Sequence, residues 1–274
     1  MSAMENSRRI LGDGRLDLPE VTLFAASSKA IPATTLALRK SLAQIRPADA
    51  ILFSDARPTD EELAGFRFIR TDRMESREDY SKFILRELAN HITTDFALCI
   101  QWDGYVLNAQ NWSDDFLGVD YVGAPWPHFD DGLVVGNGGF SLRSRRLLDA
   151  CADDRIDENE IEDVAICRTA RPWLESEYGI RFADPELARR FSYERTGARG
   201  DEFGFHGVFN MMDIMPRSEY RAIVASLDAG VLRQSDRFEL LRGAFRRFDF
   251  KTIQTLLNSM LTEGSVGHEA AAAR

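Results

Sequence analysis

The groups best suited to chemistry in this 274-residue chain are a few carboxylates, one imidazole and a pair of glycines, set along the sequence in a definite order. They are Gln101-Trp102-Asp103-Gly104, Gly136-Asn137-Gly138-Gly139-Phe140-Ser141-Leu142, Ile161-Glu162-Asp163-Val164 and Gly204-Phe205-His206-Gly207. Asp103 closes an apolar run with the length of a buried strand. A central parallel strand buries both faces and so reads as continuous hydrophobics, and in open α/β sheets ligands collect where such strands end. Strand alternation puts Gln101 and Asp103 on one side and Trp102 on the other, and Gly104 lets the backbone turn or approach a ligand closely. Taken alone, an Asp-Gly at a strand end also fits a plain turn.

The other three features have two readings each. Gly138-Gly139 lets main-chain amides come close to a ligand because no Cβ intervenes, and it equally suits a tight turn or bulge between strands. Phe140 fits a binding surface or a core. Glu162 and Asp163 precede an apolar stripe of Val164, Ile166 and Cys167, so they fall in a first helical turn, where the helix dipole favours acids whether or not they do chemistry. His206, between glycine turns, suits either a ligand-binding or a hydrogen-bonded structural imidazole. Asp120, Asp130 and Asp131 are further acids, read as cleft or solvated loop groups. Trp126 and His128, in a proline-bounded loop, could form an aromatic platform or a buried packing site.

The elements that must position these groups alternate. Val21–Ala26 reads as a strand, followed by a helix opened by Pro32 and running to about 45. Ala50–Phe53 is a second strand, residues 61–64 a short helix, Phe66–Ile69 a third strand, and Arg77–His91 a helix with an apolar stripe leading into the run Phe96–Ile100. Strand and helix in alternation predict a parallel, Rossmann-like sheet. The second half is less regular: a short strand at 121–123, a glycine-rich segment becoming strand-like by Leu142, a helix over 161–178 interrupted at Pro172, mixed short strands and turns over 180–216, and amphipathic helices from Arg217. The expected organisation is a flexible N-terminal arm over 1–18, one domain over 19–216, and a C-terminal helical extension and tail over 217–274.

A formal charge of −10 with no long basic run argues against a nucleic-acid partner or an anionic membrane surface. No segment has the length of a membrane span and no signal-peptide core follows the N-terminus, so a cytoplasmic location is expected. Three widely spaced cysteines suggest neither a disulfide framework nor a zinc knuckle.

The ordered series resembles the GT-A-type glycosyltransferases, in particular the inverting group. More closely, residues of about 20 to 215 are similar to a bacterial and fungal family of glycosyltransferase-like domains of unassigned function, marked by Gln-x-Asp-Gly and Gly-Asn-Gly-Gly-Phe-Ser-Leu-Arg. The resemblance implies a GT-A-like α/β domain with a Rossmann-like, mostly parallel central sheet flanked by helices. It implies transfer of a sugar from a nucleotide-diphosphate donor, with a UDP-sugar weakly preferred, to the hydroxyl of a glycan or other acceptor, with inversion. Departure of a diphosphate calls for positive charge, and Mn²⁺ or Mg²⁺ would supply it on Asp103 and His206. The family's metal motif carries more acid than this one, since Gln101 stands at an acidic position and contributes no charge; Lys29, Lys82 and Arg143 are the cations that could substitute. Asp163 would be the base and Glu162 the group orienting the acceptor, or the reverse. Ala25, Ser27 and Asp55 would flank the nucleotide, with Gln101, Trp102, Gly138, Gly139 and Phe140 lining the substrate site. Two other functions share parts of this pattern: a sugar nucleotidyltransferase, although the first strand lacks a glycine-rich basic phosphate loop, and a non-catalytic protein that binds a glycan or nucleotide-sugar.

Overall fold

A computed structural model describes residues 9–258 apart from residue 229. The first eight residues of the expected arm and the tail from 259 onward lie outside the described residues. The chain forms two compact units, residues 1–206 and 207–274.

In the first unit, β1 (Leu16–Ala26) is followed by α1 (Ile31–Leu42), β2 (Ile45–Ser54), β3 (Arg67–Arg70), α2 (Arg77–Lys82) and β4 (Phe96–Ile100). β1 and β2 are longer than their apolar runs because each begins in a half-exposed stretch that continues the ladder. Pro32 lies in the first turn of α1, where a missing N–H costs nothing. Helix α2 opens on a capping box at Ser76 and continues through a π turn, Phe83–Glu87, and a 3-10 turn, Leu88–His91. Residues 60–65 form turns and not the expected helix. There follow β5 (Tyr105–Val106), β6 (Tyr121–Gly123), β7 (Phe140–Ser144), α3 (Arg145–Ala150), α4 (Glu162–Val164), α5 (Arg171–Tyr178), α6 (Pro185–Phe191), β8 (Ser192–Tyr193) and β9 (Gly204–Phe205). Helix α6 replaces part of the expected mixture of strands and turns: Asp184 caps it and Pro185 opens it.

The central sheet has the order β3-β2-β1-β4-β7-β6. β3, β2, β1 and β4 are mutually parallel, and β7 runs against both β4 and β6. The expectation of a mostly parallel α/β sheet flanked by helices holds. Because β7 is reversed, its amino end, with Gly138 and Gly139 just before it, lies at the edge where β4 ends; Ile100 pairs with Phe140. A second sheet, β5-β9-β8, stands beyond that edge. It rests on an aromatic core in which Phe140 meets Phe191 at 5.2 Å and Trp112 meets Phe203 at 5.0 Å between ring centroids.

The second unit contains α7 (Val208–Ile214), α8 (Arg217–Ser226) and α9 (Gln234–Arg246). Helix α7 packs against α9, so the division falls ten residues before the boundary expected at 216. No helix among the described residues is long and apolar enough to cross a membrane.

Candidate active site

The small sheet brings three distant residues together. Asp103 lies in a turn closed by the Gly104 N–H donating to the Gln101 carbonyl at 3.1 Å, directly before β5. His206 follows β9, and Glu194 follows β8. Tyr105 pairs with Phe205, and Phe205 with Tyr193, so this register brings Gly104 opposite His206 and sets Glu194 level with it. Asp103 Oδ1 is 3.3 Å from His206 Nε2, and Glu194 Oε1 is 3.6 Å from His206 Nδ1. Burial disfavours charge on this imidazole, but the Asp103 and Glu194 carboxylates outweigh it and push its pKa up to about 10.

The Gly-Asn-Gly-Gly turn closes against this group. A Cβ on Gly139 would stand 2.1 Å from His206 Nε2, so only glycine lets the chain pass there. Asn137 occupies the left-handed region, with φ 66°, which asparagine tolerates better than most residues with a Cβ and in which its own hydrogen bonds constrain it here. The constraint is visible: Asn137 Oδ1 accepts the Gly139 N–H at 3.2 Å, and its Nδ2 donates to Glu194 Oε2 at 2.9 Å. Gly138 N–H donates to Asp163 Oδ2 at 3.0 Å. Asp103, His206, Gly139, Gly138 and Asp163 therefore form one continuous cluster at the carboxyl edge of the parallel strands.

Several expected roles change. The strand ends at Ile100, so the alternation expected for Gln101, Trp102 and Asp103 is replaced by the turn. Gly138 and Gly139 do not offer free amides to a sugar, since Asp163 and Asn137 hold both N–H groups. Glu162 is buried and unable to orient an acceptor: its Oε1 is 2.7 Å from Arg143 Nη2 and its Oε2 accepts the Asp163 N–H at 2.6 Å. Burial and the neighbouring Asp163 raise its pKa, against the pull of Arg143. Arg143 is correspondingly unavailable to a diphosphate. It is fully buried, donates to Ser141 Oγ, and lies 5.6 Å from the Tyr121 ring. Phe140 is fully buried among aromatic rings and lines no surface. Trp126 is packed in the core beside Gly136 and is no acceptor platform.

Ala25, Ser27 and Asp55 lie at the carboxyl ends of β1 and β2. Phe24 pairs with Cys99, so two residues on, Ala26 reaches the level of Gln101. Ala25 is fully buried inside the β1–β2 ladder and offers no surface to a ligand. Lys29 donates to the Glu75 carbonyl and Lys82 pairs with Glu158. Asp120 accepts hydrogen bonds from Ser144, Arg146 and the Arg181 amide, which overcome burial and lower its pKa; it ties loops together. Asp131 pairs with Arg168, while Asp130 is exposed.

A family model described as "Protein of unknown function (DUF5672)" matches residues 64–206, just over half of the chain. The chain belongs to this family. Its matched segment contains the whole cluster from Asp103 through Glu194 and ends on His206. No curated protein matches the sequence. Among solved structures, the mannosyltransferase PcManGT from Pyrobaculum calidifontis, in complex with GDP-Man and Mn²⁺, is similar with a TM-score of 0.41 and 11% identity, over 93% of this chain and 80% of that one. The galactosyltransferase LgtC, in complex with donor and acceptor sugar analogues, is similar with a TM-score of 0.41 and 11% identity, over 80% of this chain and 100% of that one.

Whether the cluster suits a divalent cation can be tested on its own distances. Two adjacent ligands of an octahedral cation at about 2.1 Å stand about 3 Å apart. Asp103 Oδ1 and His206 Nε2 have that spacing, at 3.3 Å. Ligating histidines characteristically have a carboxylate behind the other ring nitrogen, as Glu194 stands here. Among the described residues no group of three or more His, Cys, Asp or Glu is arranged to hold a metal. The pair thus has the spacing of two neighbouring ligand positions, and hard cations at phosphate sites usually complete their shell with water and phosphate oxygens. Glu194 and the double role of Asn137 were not apparent from sequence. The signal for Asn137 was its place between glycines, where Asn tolerates a left-handed backbone; Glu194 has no local signal, because the pairing of β8 with β9 is what brings it to His206.

Proposed function

We propose that the protein is a glycosyltransferase with a GT-A-like site, taking a sugar from a nucleoside-diphosphate donor to an acceptor hydroxyl. The observation that carries this reading is the convergence of Asp103, His206 and Asp163, distant in sequence, around the Gly138-Gly139 turn at the carboxyl edge of the sheet. An edge of this kind is where α/β sheets take nucleotides. Ser27 and Asp55, at the ends of β1 and β2, lie along it, and the donor's nucleoside is assigned there, with uridine preferred by the family resemblance.

Asp103 and His206 would hold the divalent cation, Mn²⁺ or Mg²⁺, which when bound neutralises charge on the departing diphosphate. Asp163 is the proposed base. One of its oxygens is anchored by the Gly138 amide, which fixes the carboxylate's direction, and the second would take the proton of the acceptor hydroxyl as its oxygen attacks the anomeric carbon. The carbon–oxygen bond to the diphosphate breaks, and inversion follows from attack opposite that bond. The buried Arg143–Glu162 pair sets the turn and takes no part in the proton transfer.

A second reading, binding of a nucleotide-sugar without transfer, is favoured by the neutral Gln101 and by the internal use of both glycine amides. Calorimetric titration with nucleoside diphosphates and their sugars, with and without Mn²⁺, together with a donor-hydrolysis assay, distinguishes the two. Transfer requires Mn²⁺-dependent donor binding and slow hydrolysis; binding without hydrolysis supports the second reading, and no binding under any condition overturns both.

A further inference from the structure

We propose that Glu194 and Asn137 are positioning residues that aim the His206 imidazole, an inference that rests on the cation reading of Asp103 and His206. An imidazole has two nitrogens, and its partner at one determines what the other can do. Glu194 Oε1 stands 3.6 Å from His206 Nδ1 and Asp103 Oδ1 stands 3.3 Å from Nε2. With the Nδ1 proton kept facing Glu194, a cation would displace the proton on Nε2, and that nitrogen and Asp103 Oδ1 would become its neighbouring donors.

Glu194 must itself be held for this to work. Its second oxygen accepts from Asn137 Nδ2 at 2.9 Å. Asn137 in turn grips its own turn through the Gly139 amide, and it is buried in a left-handed backbone conformation that most residues avoid. The same asparagine therefore shapes the turn that gives His206 room at Gly139 and steadies the carboxylate behind the ring. A glycine at 137 could make the turn; only a side chain with an amide N–H can do both.

The test uses the full chain and Mn²⁺ alone, with affinity read by paramagnetic resonance of the free ion. Glu194→Gln keeps the shape and removes the charge, and should weaken Mn²⁺ by about 10- to 100-fold, the scale seen when such outer partners are changed. Asn137→Gly accepts the backbone conformation while cutting the link to Glu194, and should weaken Mn²⁺ in the same direction by less. Thermal denaturation confirms that each variant is folded. Nitrogen NMR of the His206 ring provides a readout that a packing role would not move: metal-free wild type and Asn137→Gly should differ in the Nδ1 proton environment. Mn²⁺ affinity unchanged in both variants overturns the positioning role while leaving the cation site intact. Absence of Mn²⁺ binding by wild type, with or without a nucleoside diphosphate, overturns the cation reading itself and this inference with it.

Discussion

Glu162 Oε1, 2.7 Å from Arg143 Nη2, fills the space that a Cβ on Gly138 would take, at 1.9 Å. The ion pair and the glycine are therefore one device. The carboxylate can be buried because Arg143 neutralises it and the Asp163 amide donates to its other oxygen, and the turn can approach because residue 138 has no side chain. Removing one partner of a buried pair costs about 3–5 kcal/mol, since the other is left uncompensated. Glu162→Leu should lower unfolding free energy by about that amount in denaturant titration, and Glu162→Leu combined with Arg143→Met should recover part of it. A loss confined to activity, with unchanged stability, would return Glu162 to the catalytic group.

The cation and proton roles should separate on different observables. Asp103→Asn removes the charge that holds a hard cation, and should weaken nucleoside-diphosphate binding when Mn²⁺ is present but little without it. Asp163→Asn should leave that binding nearly intact and reduce turnover by about 10²- to 10⁴-fold. Undiminished donor hydrolysis in Asp163→Asn would assign the base elsewhere.

Gly139→Ala should disable the site without unfolding the sheet. Its Cβ would meet His206 Nε2 at 2.1 Å, so the imidazole must swing away from Asp103. Calorimetry should show lost Mn²⁺ binding with a thermal midpoint lowered by only a few degrees. Retained binding would show that the ring contact at Gly139 is not part of the cation site.

The His206 pKa, about 6.5 in an unfolded chain, is pushed up to about 10 between Asp103 and Glu194. The folded protein holds this proton more tightly. Its stabilising effect is complete below the unfolded pKa and is lost as pH rises through the folded one. Metal-free wild type should become easier to denature between pH about 6.5 and about 10, and His206→Gln should show a flatter profile over that window. Equal slopes in the two proteins would remove His206 as the cause.

Phe140→Ala should cost stability by about 3–5 kcal/mol, because the ring is fully buried against Phe191 and Phe203. Donor affinity in the remaining folded protein, measured by calorimetry, should be close to wild type.

What could be read in advance was whatever local spacing encodes. Asp103 after an apolar strand, glycines beside it, and the order of the four motifs led to a cluster that the fold does assemble. The strands were legible because both faces of β1 and β4 are buried, although the alternation stopped with the strand at Ile100. Helix α6 carried a start signal, Asp184-Pro185-Glu186, outweighed by the irregular sequence around it. Glu162 could not be told from a catalytic acid, because its exclusion depends on Arg143, nineteen positions earlier. Glu194 was silent for the same reason: its role arises from strand pairing, and spacing along the chain does not encode that contact.

The reversed direction of β7 gives the sheet a working end and an idle one. Strand exits from β1, β2 and β4 and the entrance to β7 share the working end. The turn before β1, with Gly12, Asp13 and Gly14 exposed and open space beside both glycines, stands at the idle end. A dye, an affinity peptide or a surface tether grafted into that turn would leave the edge with Asp103, Gly139 and His206 at the opposite end of the sheet, which makes it the natural handle for single-molecule or immobilised assays of this chain.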